Sequence, residues 1–538
     1  MRHKTMSPVL PASSRTAKPY IVMGMCVVAF FALQLPTITA PFIDGRYHQN
    51  WNPPFWMINA QATNRAGIAK SFFGVAEAYE TAPDGTTRAT AFYASHPQLI
   101  GPVTALWTRV FGYAEWSARL LSLLIVAASA CIFFSALVLA WPWPYAASAA
   151  GLFFALPLVQ TYGAMLNHEP FVLFFFTLAF LGVMRMVRGM KKGLALLLAG
   201  TLGMALSDWS GFLFGALLAL FFFIPPLSRV DGSRRARWLV AGMVGLGLVL
   251  FAAQSYLQAG MPSTAAFFSR YVDLWRYRSG SETPMLWFTW LRKEMLFLNL
   301  NFSLILWGIG LAGIIAAVRA GYRRRGVAHT TDTAERAVVL VMAVATVGQI
   351  AYLLAVRQAA FVHAYYQYFF SLPTAAGVVL VARHLAGYAR AALRPRVVTG
   401  IAIVAIAGSG AWSVWITAVL LPSLMWGTAS DIQLITSLRA LPEDARVVVV
   451  DNTVALEWFA NPNIRYYAER PIERYTLEQV PFAPYQIVPA HMAPQLQKIL
   501  ASGAAFGTPV KADILRCSTH FCLLVLNEGE TPADTPAP

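Results

Sequence analysis

PFIDGRYHQNWNPPFW (residues 41–56) and FYASHPQLIGPVTALWTRVFGYAEWSARLLS (residues 92–122) frame a long aromatic segment between apolar runs, and its reading decides the fold. The run before it, residues 20–40, is long enough to cross a hydrocarbon core of roughly 30 Å. The question is whether His96 to Gly112 crosses as well. Loops retained in the cytoplasm collect Lys and Arg, and the later loops carry four such clusters: Arg185, Arg188, Lys191 and Lys192; Arg229, Arg234, Arg235 and Arg237; Arg319, Arg323, Arg324 and Arg325; Arg383, Arg390, Arg394 and Arg396. Together with the basic N-terminal tail they fall on one side only if His96–Gly112 does not cross. That piece is therefore read as an amphipathic helix lying along the outer interface, at a depth that suits Trp51, Trp56, Trp107 and Trp116.

Working outward, 57% of the 538 residues are hydrophobic and only 12% charged, with a mean hydropathy of +0.54. A soluble domain carries roughly 25% charge, so the chain reads as a polytopic α-helical membrane protein. The net charge of +16 sits in short clusters between apolar runs, which orients membrane helices and speaks against a nucleic-acid partner. About eleven spans of near twenty residues are expected, at 20–40, 117–140, 145–165, 170–186, 193–208, 211–226, 239–257, 300–318, 337–356, 369–385 and 397–420. The N-terminal segment 1–19 is then cytoplasmic, and the first span reads as uncleaved. The turns LNHEP (166–170) and SDWSG (207–211), which contain no Lys or Arg, face outward.

From about Thr428 the pattern changes. DIQLITSLRAL and APQLQKILAS have helical spacing, ALEWFA reads as a short helix, and RVVVVD and FCLLVLN read as strands. A small extracytoplasmic α/β domain over 428–527 is expected, with a disordered tail at 528–538. Cys26 and Cys131 lie in apolar spans as packing residues, whereas Cys517 and Cys522 lie in the polar part, where an oxidising compartment favours a disulfide over a metal site.

Ionisable groups beside a bilayer are costly unless paired, solvated or used. Those at the outer ends of the spans are Asp44, Arg46 and His48; His96; His168 and Glu169; Asp208; and His363 with Tyr365 and Tyr366. The topology brings all of them to one face, which points to a site. Structural roles stand beside the chemical ones: Asp44 as a cap or partner of Arg46, Glu169 and Asp208 as first-turn acids on helix dipoles, the His363 group as an aromatic belt, and Arg270, Arg292 and Lys293 as snorkelling cations.

Asp44 after the first span, Tyr93-Ala94-Ser95-His96-Pro97-Gln98-Leu99, Phe111-Gly112 and Ala118-Arg119-Leu120-Leu121-Ser122 form an ordered set. This set resembles the GT-C superfamily of polyprenyl-phosphate-sugar glycosyltransferases over roughly the first 420 residues. Asn167-His168-Glu169-Pro170 and the run His363 to Pro373 resemble its protein O-mannosyltransferase and lipid A aminoarabinose transferase branches. Three positions depart from the pattern: His96-Pro97-Gln98 replaces Lys-Pro-Pro at its first and last residues, and Ser95 stands before it in place of an acid. The resemblance implies an inverting transfer at the outer face of a bacterial cytoplasmic membrane, from a polyprenyl-phosphate sugar to a lipid, glycan or protein acceptor. It implies Asp44 as general base, with Glu169 orienting the acceptor or Asp44. Arg46, His96, Arg270, Arg292, Lys293 and His363 are candidates to neutralise the phosphate, with Tyr93, Tyr365 and Tyr366 as hydrogen-bond donors. Some relatives use a divalent cation, for which Asp44, Glu169 and Asp208 form a sparse oxygen set.

Two other function classes remain. A lipid-linked sugar flippase or transporter also has many spans and a few membrane-level charges, although transporters place theirs near the midplane on broken helices. A non-catalytic assembly protein displaying its C-terminal domain would tolerate loss of the Asp44 carboxylate.

Overall fold

Each apolar run carries a helix, as it must where the backbone has no water to bond. The computed structural model describes residues 17–42, 51–82, 84–93, 95–225, 227–259, 264–281, 286–323, 330–386, 393–416, 429–442, 445–450, 466–468, 473–475, 483–502, 510–519 and 521–527. Asp44, Arg46, His48, the ALEWFA segment and the 528–538 tail lie outside them. The chain divides into two compact units, Met1–Thr39 with Asn59–Val419, and Ala40–Ile58 with Leu420–Pro538.

Helix α1 (Lys18–Thr39) covers the first expected span. The segment after it holds α2 (Asn52–Ala66), the antiparallel hairpin β1 (Ala76–Thr81) and β2 (Thr87–Phe92), and α3 (Ile100–Phe111). At twelve residues, α3 is only about 18 Å long and too short to cross. It buries Ile100, Gly101, Thr104, Ala105 and Thr108 along one face and exposes Leu106, Val110 and Phe111 on the other, as an interfacial helix requires.

The bundle continues with α4 (Glu115–Leu137), α5 (Trp143–Ala155), α6 (Pro157–Tyr162), α7 (His168–Val187), α8 (Gly193–Ser207), α9 (Trp209–Phe221) and α10 (Ser233–Ala259). Next come α11 (Thr264–Ser279), α12 (Trp287–Phe302), α13 (Leu304–Arg323), α14 (Thr330–Ala355), α15 (Arg357–Val362), a 3-10 turn over Ala364–Phe370, α16 (Ser371–Ala386) and α17 (Arg394–Trp415). Among the described residues seven helices are long and apolar enough to cross a membrane, or eight if α12 and α13 are one bent span. Helices α8 and α9, of fifteen and thirteen residues, are shorter apolar helices. Two expected spans differ in form. Residues 145–165 make two helices, because Leu156 is extended before Pro157, which lacks the amide hydrogen a continuous helix needs. The 300–318 span is α13 alone, since α12 meets it at 92° across Ser303, whose φ is +59°.

Contacts sort the helix ends of this first unit into two rims. At one, Tyr20 meets Phe134 edge-on, Arg188 donates to the Leu139 carbonyl at 2.6 Å, and Arg383 pairs with Glu335 at 2.6 Å while lying over Trp141 and Tyr145. This rim carries Arg188 and Arg383, each from one of the basic clusters. At the other, Arg119 donates to the Thr37 carbonyl, and the Ser122 hydroxyl contacts the carbonyls of Gly163 and Met165 at 2.8 and 2.9 Å. Arg119 and Ser122 thus tie the end of α1 and the approach to α7 onto α4.

The second unit holds α18 (Ala429–Ser437), β3 (Val447–Val450), β4 (Glu473–Tyr475), β5 (Tyr485–Pro489), α19 (Ala493–Ala501), β6 (Lys511–Cys517) and β7 (Phe521–Asn527). The sheet order is β4-β3-β5-β7-β6, with β3 parallel to both neighbours and β7 antiparallel to both of its own. Val448, Val450, Val488, Leu496, Leu500 and Leu524 form its core. Cys517 and Cys522 are bonded across the β6–β7 turn. The unit also takes in Ala40–Ile58, which the sequence assigns to the first membrane-domain loop. Phe42 explains the difference by donating its N–H to the Tyr467 hydroxyl at 2.9 Å and packing edge-on against Tyr466.

Helices α7 and α8 pack backbone to backbone. A Cβ on Gly200 would lie 2.5 Å from the Ala179 nitrogen, and one on Gly182 would lie 2.4 Å from the Leu197 nitrogen. Gly200→Ala is expected to wedge α8 off α7 and destabilise the protein by about 1–3 kcal/mol, read as a lowered thermal midpoint in detergent. An unchanged midpoint would contradict this packing.

Candidate active site

The second rim gathers the N-terminal ends of α7 and α9, the C-terminal ends of α8, α11 and α14, the 3-10 turn and the segment Tyr93–Gln98. That segment is pinned from three directions. Tyr93 donates its N–H to Val75 at 3.0 Å, and Leu99 donates to Leu206 at 3.0 Å. Trp209 donates its indole N–H to the Ser95 carbonyl at 2.8 Å. Gln98 accepts from the Val75 amide at 2.7 Å through Oε1 and donates to Gln258 of α10 at 2.7 Å. At the position where the GT-C pattern has a proline, Gln98 is thus a clamp for the segment.

His96 is buried at the centre of the rim, its ring 4.7 Å from that of His168. Arg278 of α11 donates to its Nε2 at 2.7 Å. A guanidinium can only donate, so Nε2 is the acceptor, and Nδ1 carries the proton toward the Tyr93 hydroxyl, its other close partner. Burial first, then the charge of Arg278 and the adjacent His168 and His363, hold the imidazole well below its usual range. His96 is therefore neutral here, where the sequence had suggested a phosphate-binding cation. Burial likewise pushes the Tyr93 phenol up to about 12, so it keeps its proton.

Two buried carboxylates face this group. Asp208 caps α9: its Oδ2 accepts from the Ser210 amide at 3.1 Å and the Ser210 hydroxyl at 2.7 Å, with the Tyr352 hydroxyl at 3.4 Å. Its Oδ1 stands 3.8 Å from His96 Nε2, and the neutral ring makes that a contact between a carboxylate and an uncharged group. The capping role and the site position thus coincide. Glu169 accepts from the Asn167 side chain at 2.7 Å, and His168 bonds the Ser207 carbonyl at 2.7 Å through Nδ1. His363 packs 5.1 and 5.2 Å from the rings of Tyr365 and Tyr366, and Tyr366 reaches Tyr352 at 5.6 Å.

The structure therefore brings together Tyr93, His96, Glu169, Asp208, His363, Tyr365 and Tyr366. It leaves three expected cations elsewhere. Arg270 and Arg292 are exposed, and the Lys293 ammonium lies over Phe297 and Phe361, where its stem gains apolar contact. Arg278 takes the place expected for them. It shares the inward face of α11 with Tyr271, which packs edge-on against Trp209 and Phe251. The 271, 274, 278 spacing is the helical phase that separates Arg278 from Arg270 and Arg276. Tyr352 was also missed. Asp44 and Arg46 lie outside the described residues. Among the described residues no three His, Cys, Asp or Glu side chains converge as a metal cage; Glu169 and Asp208 are the two members of the expected oxygen set present in the cluster.

No family model matches the chain, and no curated protein matches it. Solved structures do. ArnT from Cupriavidus metallidurans in the apo state is 12% identical with a TM-score of 0.56, over 95% of this chain and 98% of that one. The same protein bound to undecaprenyl phosphate gives 0.58 over the same shares. The archaeal oligosaccharyltransferase AglB from Archaeoglobus fulgidus, in complex with an inhibitory peptide and a dolichol-phosphate, is 11% identical with a TM-score of 0.54, over 91% of this chain and 71% of that one. The chain has the fold of these proteins.

Gln98→Ala would strip partners from the buried Val75 amide and the Gln258 side chain. The expected cost is about 1–3 kcal/mol, with faster amide hydrogen exchange over residues 93–99 than in wild type. Unchanged exchange there would show that the clamp does not hold the segment.

Proposed function

We propose that the protein is an inverting glycosyltransferase of a bacterial cytoplasmic membrane, transferring a sugar from a polyprenyl phosphate to an extracytoplasmic acceptor on a lipid, envelope glycan or protein. The observation that carries this reading is the Arg278 guanidinium bonded at 2.7 Å to the buried His96, at the same rim as the buried acids Glu169 and Asp208, in a bundle that shares its fold with ArnT. The fold relatives solved with undecaprenyl phosphate and dolichol-phosphate support a lipid-linked donor. Arg188 and Arg383 at the opposite rim, with the Lys and Arg clusters of the sequence, support an outward-facing site, with the N-terminus inside and the C-terminal unit outside.

Chemically, the acceptor oxygen attacks the anomeric carbon as the bond from that carbon to the phosphate oxygen breaks. The leaving polyprenyl phosphate takes the electron pair and needs a cation, which Arg278 supplies, with the protonated Tyr93 as a further donor. The acceptor proton goes to a carboxylate, assigned to Asp44. Glu169 serves to orient the acceptor. One displacement inverts the anomeric centre.

The test is transfer from labelled polyprenyl-phosphate sugars to a membrane and cell-wall extract by purified protein. Asp44→Asn is expected to lose about 10²–10⁴ in rate. Equal transfer by both proteins would remove Asp44 as the base, and lipid movement without transfer would favour a flippase.

A further inference from the structure

We propose that His96 is a positioning residue: an uncharged acceptor that holds the Arg278 guanidinium toward the donor phosphate, and does not itself contact that phosphate. The inference rests on the proposed function and specifies how the phosphate is recognised at that site.

The geometry leaves His96 little else to do. Its Nε2 is taken by Arg278 at 2.7 Å, and Nδ1 is engaged by the Tyr93 hydroxyl. His168 closes one ring face, 4.7 Å away. The imidazole is buried, so neither nitrogen has a donor to offer an incoming anion. Arg278 has five N–H groups and turns two of its nitrogens to His96, Nη1 at 2.7 Å and Nη2 at a longer 3.4 Å, so N–H groups remain for a phosphate. A lysine at position 96, the residue type of the GT-C pattern, would stand an ammonium against this guanidinium. Chain-specific recognition has moved the cation from the loop to α11 and turned the loop residue into its support.

Two ways of using position 96 therefore make opposite forecasts. If His96 binds phosphate directly, a permanent cation in its place preserves or improves binding. If it positions Arg278, that same change harms binding, while a neutral acceptor of similar reach preserves it.

The experiment measures affinity for undecaprenyl phosphate at pH 8 in nanodiscs, with the thermal midpoint of each variant as a fold control. Arg278→Gln is expected to weaken binding roughly ten- to a hundredfold, the loss of a charge-assisted contact. His96→Ala is expected to weaken it about tenfold and His96→Gln to recover most of that loss, whereas His96→Lys falls below His96→Ala. The double variant His96→Ala/Arg278→Gln should bind no worse than Arg278→Gln alone, because the effect of His96 passes through Arg278. Should the lysine variant not fold, this cycle decides. Additive losses in the cycle, a lysine variant at least equal to wild type, or no recovery by glutamine would overturn the proposal while leaving the function intact. Failure of wild type to bind undecaprenyl phosphate would overturn both.

Discussion

Taking a guanidinium and carboxylates out of water beside an apolar bundle costs several kcal/mol per ion unless each finds partners. The second rim is organised by that constraint. Asp208 is held by the amide and hydroxyl of Ser210, Glu169 by Asn167, and Arg278 by His96. Each partner in turn is fixed by a helix end, so the charges are set by how closely the helices approach. The glycine contact between α7 and α8 and the three-way pinning of Tyr93–Gln98 serve one purpose: they place polar groups to within hydrogen-bond reach where water does not compete.

Much of this was legible in the sequence, for physical reasons that differ from residue to residue. A hydrocarbon solvent forces helices onto apolar runs, and the loop cations fix which helix ends share a rim, so the convergence of His96, Glu169, Asp208 and His363 followed from topology alone. Residues 100–111 form a twelve-residue helix, too short to cross a bilayer, in keeping with the reading of His96–Gly112 as a segment that does not cross. The partner of His96 was not legible. It lies 182 positions away in the chain, and an imidazole beside a guanidinium loses the charge that a histidine near a phosphate would be expected to carry. Arg278 was hidden among neighbouring cations, and only the phase set by Tyr271 distinguishes it. Gln98 read as a departure from a family pattern, whereas its amide bridges Val75 and Gln258.

Fold and chemistry are joined by the same residues. Arg119 and Ser122 carry no chemistry of their own, yet they anchor the end of α1 and the approach to Glu169 onto α4. A motif that marks the fold thereby also ties down the approach to α7, which begins with His168 and Glu169. At the opposite rim, Arg188 donates to a carbonyl and Arg383 meets a carboxylate and aromatic faces.

The central claim is that a lipid-linked phosphate is received at the outward rim by the guanidinium on α11. It is tested most directly by a structure determined in nanodiscs with undecaprenyl phosphate bound. The account predicts the phosphate within hydrogen-bond distance of Arg278, with the Arg278 to His96 contact retained and the lipid chain running along the bundle. Phosphate density at the basic rim, or at the second rim bonded to His96 with Arg278 turned away, would contradict it.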